Sequence, residues 1–163
     1  MKKTAQQQFC TFRIARRLFG VEITDVKEIH PPVKFTPVFH ATKEVKGFVN
    51  IRGQIHLVID LRILLGFESK EISELSQILL FKPHVGESFG VLVDSIGDVA
   101  EVDETRIEGL VKTDRKIEDE TIQGFSDLAK GVCKLKQDLL VVLNSSVLLK
   151  RIEENQLRRG AKK

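Results

Sequence analysis

Two stretches of the sequence share one pattern: GFVNIRGQIHLVIDLRILL at Gly47–Leu65 and GVCKLKQDLLVVLNSSVLL at Gly131–Leu149. They align without a gap, and Asp60 of the first copy matches Asn144 of the second. Each copy predicts a strand, a polar turn, a buried strand, and then an Asp or Asn that caps one helical turn. A duplicated small barrel explains the repeat. Chance similarity between buried strands is the alternative.

A shorter repeat precedes each copy, because Gly20–Ile29 resembles Gly90–Val99. The apolar runs of the chain are short and β-branched, and they follow one another too closely for long helices to separate most of them. The predicted strands include Gly20–Ile23, Gly53–Ile59, Ile78–Phe81, Gly90–Val93 and Leu139–Leu143. This pattern predicts a mostly antiparallel all-β sandwich or barrel. Short helices are expected at Thr42–Lys46 and Leu61–Leu65, and a longer helix is expected from Asn144 or Ser145 through Leu157.

The basic charge of the chain is concentrated at its C-terminal end. Residues 150–163 contain six Lys/Arg and two Glu, a net of +4, whereas the whole chain carries +3. The rest of the chain is therefore close to −1 and has no basic face for phosphates. The sequence contains no Trp and no Tyr to stack on bases. We expect no nucleic-acid partner, although a small-barrel nucleic-acid-binding protein stays an alternative.

The sequence shows no constellation of catalytic or metal-binding residues. Its four His have no metal-ligand spacing with Cys or a carboxylate. Cys10 and Cys133 are expected to be small core residues in a reducing compartment, and His56 is expected to point outward or to be hydrogen-bonded. We therefore expect no catalysis, no metal and no cofactor. No apolar window is long enough for a membrane span, so we expect neither export nor direct membrane insertion.

The segment Gly47–Gly53 indicates a binding role. Asn50 and Gly53 suit a turn between two strands. The turn does not require Arg52, since any polar residue would serve there. An Arg on a rigid turn is well suited to bidentate contacts with carboxylates across an interface.

The stretch Gly47–Arg62 resembles the signature of CheW-like domains, in which a Gly-Val-x-Asn-x-Arg-Gly turn leads into an apolar strand and Asp-Leu-Arg. Gly20–Ile29, Gly90–Ile96 and Gly131–Leu149 match further segments of that family in the same order. The resemblance implies an all-β fold of two five-stranded SH3-like β-barrel subdomains around a shared hydrophobic core, with short helices and a C-terminal helix. It places a CheW-like domain at residues 8–150, followed by a basic helical or disordered tail at 151–163.

The resemblance also implies a non-catalytic scaffold that couples chemoreceptors to the CheA-type histidine kinase in bacterial chemotaxis. Its partners would be the receptor's cytoplasmic tip and the regulatory domain of the kinase. The protein would be cytoplasmic and associated with receptor arrays at the inner membrane. Alternatives are a detached regulatory domain of the kinase itself, or a free-standing module of another kinase-linked pathway such as pilus motility.

The resemblance implies a coupling role for Val26, Glu28, Gly47 and Arg52. Ile29 could add apolar contact beside Val26, and Asn50 and Gly53 shape the turn; all are included among the expected partner-binding residues. We expect Glu28 to be exposed and to pair with Arg52 across neighbouring strands, which would present the turn in a fixed pose.

Overall fold

The computed structural model describes residues 6–109 and 126–161. These residues form eleven strands and two helices, joined by short 3₁₀ turns. The strands are β1 (Gln6–Ile14), β2 (Arg17–Glu22), β3 (Val26–His30), β4 (Val45–Ile51), β5 (Gln54–Asp60), β6 (Gln77–Phe81), β7 (Phe89–Val93), β8 (Ser95–Asp103), β9 (Glu108–Gly109), β10 (Ala129–Lys134) and β11 (Leu139–Leu143). The helices are α1 (Leu61–Leu64) and α2 (Ser145–Ala161).

The strands form two sheets, which confirms the predicted all-β class. One sheet has the order β8-β1-β2-β11-β10-β9, and the other has the order β3-β6-β7-β5-β4. Neighbours are antiparallel, except that β2 runs parallel to β11 and β5 runs parallel to β7. The first sheet has a sixth strand beyond the expected five because the two-residue β9 pairs with β10.

Three apolar clusters show how the two sheets form small barrels around a common core. One cluster lies within the six-stranded sheet and includes Phe9, Leu18, Leu140 and Val142. A second lies within the five-stranded sheet and consists of Val49, Ile51, Val58, Ile78, Leu80 and Leu92, with Val33 and Phe35 packed against it. The third and largest draws residues from both sheets and from α1 and α2. Because successive residues of a strand face opposite sides, each sheet contributes to its own interior and to the shared core.

The internal repeat corresponds to a real repeat in strand pairing. Val58 of β5 is registered with Gly90 of β7. At the equivalent place in the other sheet, Val142 of β11 is registered with Gly20 of β2. A Cβ at Gly90 would lie 2.8 Å from the carbonyl oxygen of Leu79, so glycine allows the strands to approach there. Matching registers in both sheets support duplication rather than chance similarity.

Two of the three predicted helices are present. Asp60 caps α1 by accepting a hydrogen bond from the Arg62 amide at 3.1 Å. Residues Thr42–Lys46 are not helical, because β4 already begins at Val45 and pairs with β5. The helix α2 continues past residue 150, and Ile152 is buried in the shared core. Within the described part of the chain, no helix has the length and apolarity needed to cross a membrane.

Candidate functional site

The turn between β4 and β5 is a two-residue loop in a strained conformation. Ile51 pairs with Gln54, and the two loop residues, Arg52 and Gly53, have φ angles of 55° and 82°. Left-handed conformation at both loop positions is typical of a type I′ turn, which favours Asn-Gly. Arg at the first position costs about 1 kcal/mol of conformational energy. The backbone of this turn therefore does not explain why an Arg is there.

The equivalent turn in the second copy of the repeat adopts a different conformation. There the Leu135 amide donates to the Asp138 carbonyl at 2.8 Å, across Lys136 and Gln137. Neither Lys136 nor Gln137 has a positive φ angle. The same repeat unit thus closes its hairpin without left-handed backbone, and the strained cation is specific to the first copy.

Asn50 supports the turn from the preceding strand. Its side-chain oxygen accepts a hydrogen bond from the Gly53 amide at 2.9 Å. Asn50 therefore stabilises the turn through its side chain and is not one of the two loop residues. Gly53 has open space around the position of a Cβ, so its left-handed φ angle is what favours glycine there.

Glu28 and Arg52 form the ion pair that the sequence predicts. Arg52 Nη1 lies 3.1 Å from Glu28 Oε2, with side chains 77% and 22% exposed respectively. The expectation of neighbouring strands was wrong, because β3 and β4 are the two opposite edges of the five-stranded sheet. The sheet curls until its edges approach, and the ion pair connects β3 to the turn at the end of β4.

Glu28 is half-buried rather than exposed, and a β-bulge is the reason. Val26 pairs with Phe81, but Glu28 pairs with Leu80, so β3 has one extra residue against β6. The bulge directs Val26 toward the shared core and Glu28 toward the side of the sheet on which Leu80 lies. Ile29 is registered with Leu79, so it lies on the same side of the sheet as Val26, and it is 42% exposed. Glu28 is therefore only partly accessible beside Arg52.

Gly47 lies in β4 and has a structural requirement of its own. Its φ angle is 146°, and a Cβ would lie 2.6 Å from the carbonyl oxygen of Thr36. At this point Thr36 and Phe48 exchange two backbone hydrogen bonds of 2.8 Å. Glycine thus permits the segment before β4 to pack directly on the strand that leads to the Arg52 turn.

His56 is a site residue that the sequence reasoning missed. It is only 4% exposed, and its Nδ1 has no hydrogen-bond partner among the described residues. The expectation of an outward or hydrogen-bonded side chain was therefore wrong. His56 pairs with Val49, so it faces the same interior as Glu28. A lone polar residue within an apolar strand was the available signal.

The surroundings of His56 favour its neutral form. Burial lowers the pKa of His56, and the positive charge of Lys27 acts in the same direction, whereas Glu28 opposes them. The imidazole is therefore an uncharged group placed near the buried side of the Glu28–Arg52 pair at neutral pH.

The two cysteines are core residues, as predicted. Both Cys10 and Cys133 are buried, and burial raises the pKa of the Cys10 thiol, which disfavours a reactive thiolate. Within residues 6–109 and 126–161, no group of three or more His, Cys, Asp or Glu is arranged to hold a metal ion.

Comparison with known proteins identifies the family. The model of the CheW-like domain family matches residues 8–153. "Chemotaxis protein CheW" of Helicobacter pylori is 24% identical over 88% of this chain and 82% of its own length. The protein of the same name from Bacillus subtilis is 27% identical over 88% of this chain and 86% of its own length.

A solved structure agrees with these relatives. The crystal structure of the scaffolding protein TtCheW from Thermoanaerobacter tengcongensis superposes with a TM-score of 0.75 at 25% identity, covering 90% of this chain and 89% of that one. Family match, sequence relatives and fold agree over nearly the whole length. The chain belongs to the CheW-like domain family.

Proposed function

We propose that this protein is a non-catalytic scaffold that couples chemoreceptors to a CheA-type histidine kinase. It would bind the cytoplasmic tip of the receptor and the regulatory domain of the kinase. Membership in the CheW-like family supports this role, as do relatives named as chemotaxis and scaffolding proteins. The protein would act in the cytoplasm, associated with receptor arrays at the inner membrane and without inserting into it.

The observation that carries the proposal is the placement of Arg52. Its guanidinium is largely exposed, held by Glu28 at 3.1 Å, and mounted on a turn whose conformation disfavours Arg. An exposed ion pair of this kind contributes less than about 1 kcal/mol to stability. Stability alone therefore does not account for it. A preoriented Arg does suit contact with a carboxylate or carbonyl of a partner.

The other proposed partner-binding residues divide into two groups by their environment. Ile29 supplies exposed apolar surface beside Glu28, and Val26 supplies a half-buried edge of the same strand. Gly47, Asn50 and Gly53 act on backbone shape, so their effect on binding would come through the pose of Arg52. The proposed interface thus combines one oriented cation with a small apolar border.

We also propose the division of the chain into a CheW-like domain at residues 8–150 and a basic tail at 151–163. The first turns of the helix α2 pack on the shared core through Leu148 and Ile152. In the sequence, most of the positive charge of the tail follows Ile152, at Arg158, Arg159, Lys162 and Lys163.

Charge reversal at Arg52 tests the proposal. The binding of the purified chain to the kinase regulatory domain, and to a receptor cytoplasmic fragment, would be measured by calorimetry. We expect Arg52→Glu to abolish or strongly weaken binding to at least one of them. Lys136→Glu is the matched control, because Lys136 is the exposed cation at the equivalent position of the repeat. Unchanged affinities for both partners in Arg52→Glu would overturn the site assignment.

Exchanging both charged residues distinguishes the effect of the intramolecular ion pair from the effect of which residue carries the positive charge. Glu28→Arg combined with Arg52→Glu restores an attractive pair but reverses which residue presents the cation. If the partner contacts the Arg side chain on the turn, binding stays lost in the double variant although stability returns. Full recovery of binding would show that only the intramolecular pair matters.

A further inference from the structure

A second charged surface lies where the two sheets meet, away from the residues assigned above. It is a notch of about 440 Å³, lined by residues of the β1–β2 hairpin, of α1 and the loop after it, and of the β7–β8 connection. The lining residues are Arg13, Ala15, Arg16, Arg62, Lys70, Ser73, Leu75, Asp94 and Ser95. Four cations thus surround a single carboxylate, although the body of the chain is close to neutral.

Two of these cations are already paired and build the walls of the notch. Arg62 Nη1 donates to Asp94 Oδ2 at 2.5 Å, and its Nε donates to the Glu68 carbonyl at 2.8 Å. Arg13 Nη2 donates to Asp138 Oδ2 at 2.9 Å. These two arginines therefore stabilise the walls of the notch, and their charges are already compensated.

The tip of the β1–β2 hairpin is held in place by the same network. The Ala15 amide donates to Asp94 Oδ2 at 3.0 Å, and Arg13 Nη1 donates to the Arg16 carbonyl at 3.0 Å. Ala15 and Arg16 have φ angles of 50° and 70°, a conformation that favours Gly, Asn or Asp. As at Arg52, an arginine occupies a left-handed turn position for which the backbone gives no reason.

Arg16 and Lys70 are the uncompensated charges. Both side chains are exposed, and neither has a carboxylate partner within the part of the chain that the structure describes. Leu75, 70% exposed, and Ala15 add an apolar border to the notch. The notch therefore presents two free cations beside an aliphatic patch. The hairpin that carries Arg16 is held in place by the hydrogen bonds of Ala15 and Arg13.

We propose that this notch docks an acidic protein segment that carries an aliphatic side chain next to its carboxylates. The free cations are exposed, whereas Arg62 and Arg13 are already neutralised by Asp94 and Asp138. A peptide is favoured over a small anion because Leu75 and Ala15 border the cations, and a small anion would leave this apolar surface uncovered. Separate carboxylates on a peptide would reach Arg16 and Lys70 individually while the aliphatic side chain covers Leu75.

A peptide titration on the full chain tests the docking site. The probe is a fluorescein-labelled hexapeptide, Ile-Glu-Asp-Glu-Ile-Glu, followed by anisotropy; the same peptide with Gln and Asn in place of the acids is its control. We expect binding of the acidic peptide that weakens as salt is raised. Equal binding of the neutral peptide would overturn the proposal. So would complete displacement by inorganic phosphate at matched ionic strength, which would indicate a small-anion site.

Substitutions at Arg16 separate recognition from folding. Arg16→Gly removes the charge and relieves the left-handed backbone, so we expect a higher Tm together with a loss of affinity of about fivefold or more. Arg16→Lys should keep most of the affinity. Arg16→Glu should lose it, whereas Lys43→Glu, the same charge change at an exposed lysine outside the notch, should not. Unchanged affinity in Arg16→Gly would overturn the proposal. Because no kinase or receptor is present, the result is independent of the function proposed for the Arg52 turn.

Discussion

Arg52 donates to Glu28 across 3.1 Å and thereby links the two edge strands of the five-stranded sheet. The two residues are 24 positions apart in sequence, and four strand-to-strand steps separate β3 from β4 in the sheet. Curling of the sheet brings them together, and the bulge in β3 directs Glu28 toward the pair. The Arg52 turn is thus oriented from both edges of one barrel.

Replacing Arg52 with Asn should stabilise the protein while it weakens partner binding. Asn tolerates the left-handed conformation at the first position of a type I′ turn, which relieves about 1 kcal/mol of strain. The loss of the exposed ion pair offsets only a few tenths of a kcal/mol. We expect the free energy of unfolding, measured by urea denaturation, to rise by about 0.5–1 kcal/mol. A variant that is less stable than the wild type would contradict the assignment of strain to Arg52.

His56 should make the stability of the protein depend on pH below neutrality. The pKa of His56 is lowered in the folded state, so the unfolded chain binds its proton more readily. The contribution of neutral His56 to stability is fully present above the unfolded pKa of about 6.5. It is lost as the pH falls from there toward the lowered folded pKa. Urea denaturation across this range should show that His56→Leu loses less stability than the wild type on acidification. Identical pH profiles would rule out His56 as the group responsible.

Two glycines of the same hairpin should respond differently to alanine. Gly47→Ala places a Cβ 2.6 Å from the Thr36 carbonyl oxygen as well as straining φ, so we expect a loss of roughly 2–3 kcal/mol. Gly53→Ala meets no atom within 4 Å and carries only the conformational cost of about 1 kcal/mol. Thermal unfolding of both variants provides the comparison. Equal losses would show that the contact with Thr36 relaxes without cost.

The apolar contribution of the helix α2 to stability should come from Ile152 far more than from Leu157. Ile152 is 2% exposed in the shared core, so Ile152→Ala is expected to cost about 2–4 kcal/mol. Leu157 is 74% exposed, and Leu157→Ala should change stability by less than about 0.5 kcal/mol. Chemical denaturation of both variants checks the difference. A small effect of Ile152→Ala would contradict the assignment of Ile152 to the shared core.

Much of the fold could be predicted because its signals are local. Short β-branched runs bounded by turn residues predict strands, and β5, β6, β7 and β11 lie at or within one residue of the expected positions. The expected helix at Thr42–Lys46 was wrong because pairing of Val45 with Ile59 outweighs the local preference of so short a segment.

The sequence could predict which residues belong to the candidate site, but it could not predict how they are arranged. The residues of the turn were recognisable, but the bulge that half-buries Glu28 depends on pairing with β6, which leaves no local signal. The burial of His56 likewise depends on which face of β5 is enclosed. The hairpin at Ala15–Arg16 was not singled out, because a turn of non-glycine residues looks like any polar loop.

By itself, the sequence determined the repeated strand-turn-strand unit, the Asp60 cap of α1 and the identity of the cation on the turn, since these follow from neighbouring residues and alternation. Tertiary structure alone decided that Glu28 reaches Arg52 from the opposite edge of the sheet and that Arg16 and Lys70 line one notch. The physical reason is that the two-residue period of a strand tells which residues share a face. It does not tell which strands pair or how far a sheet curls, and both are set by long-range packing of the three apolar clusters.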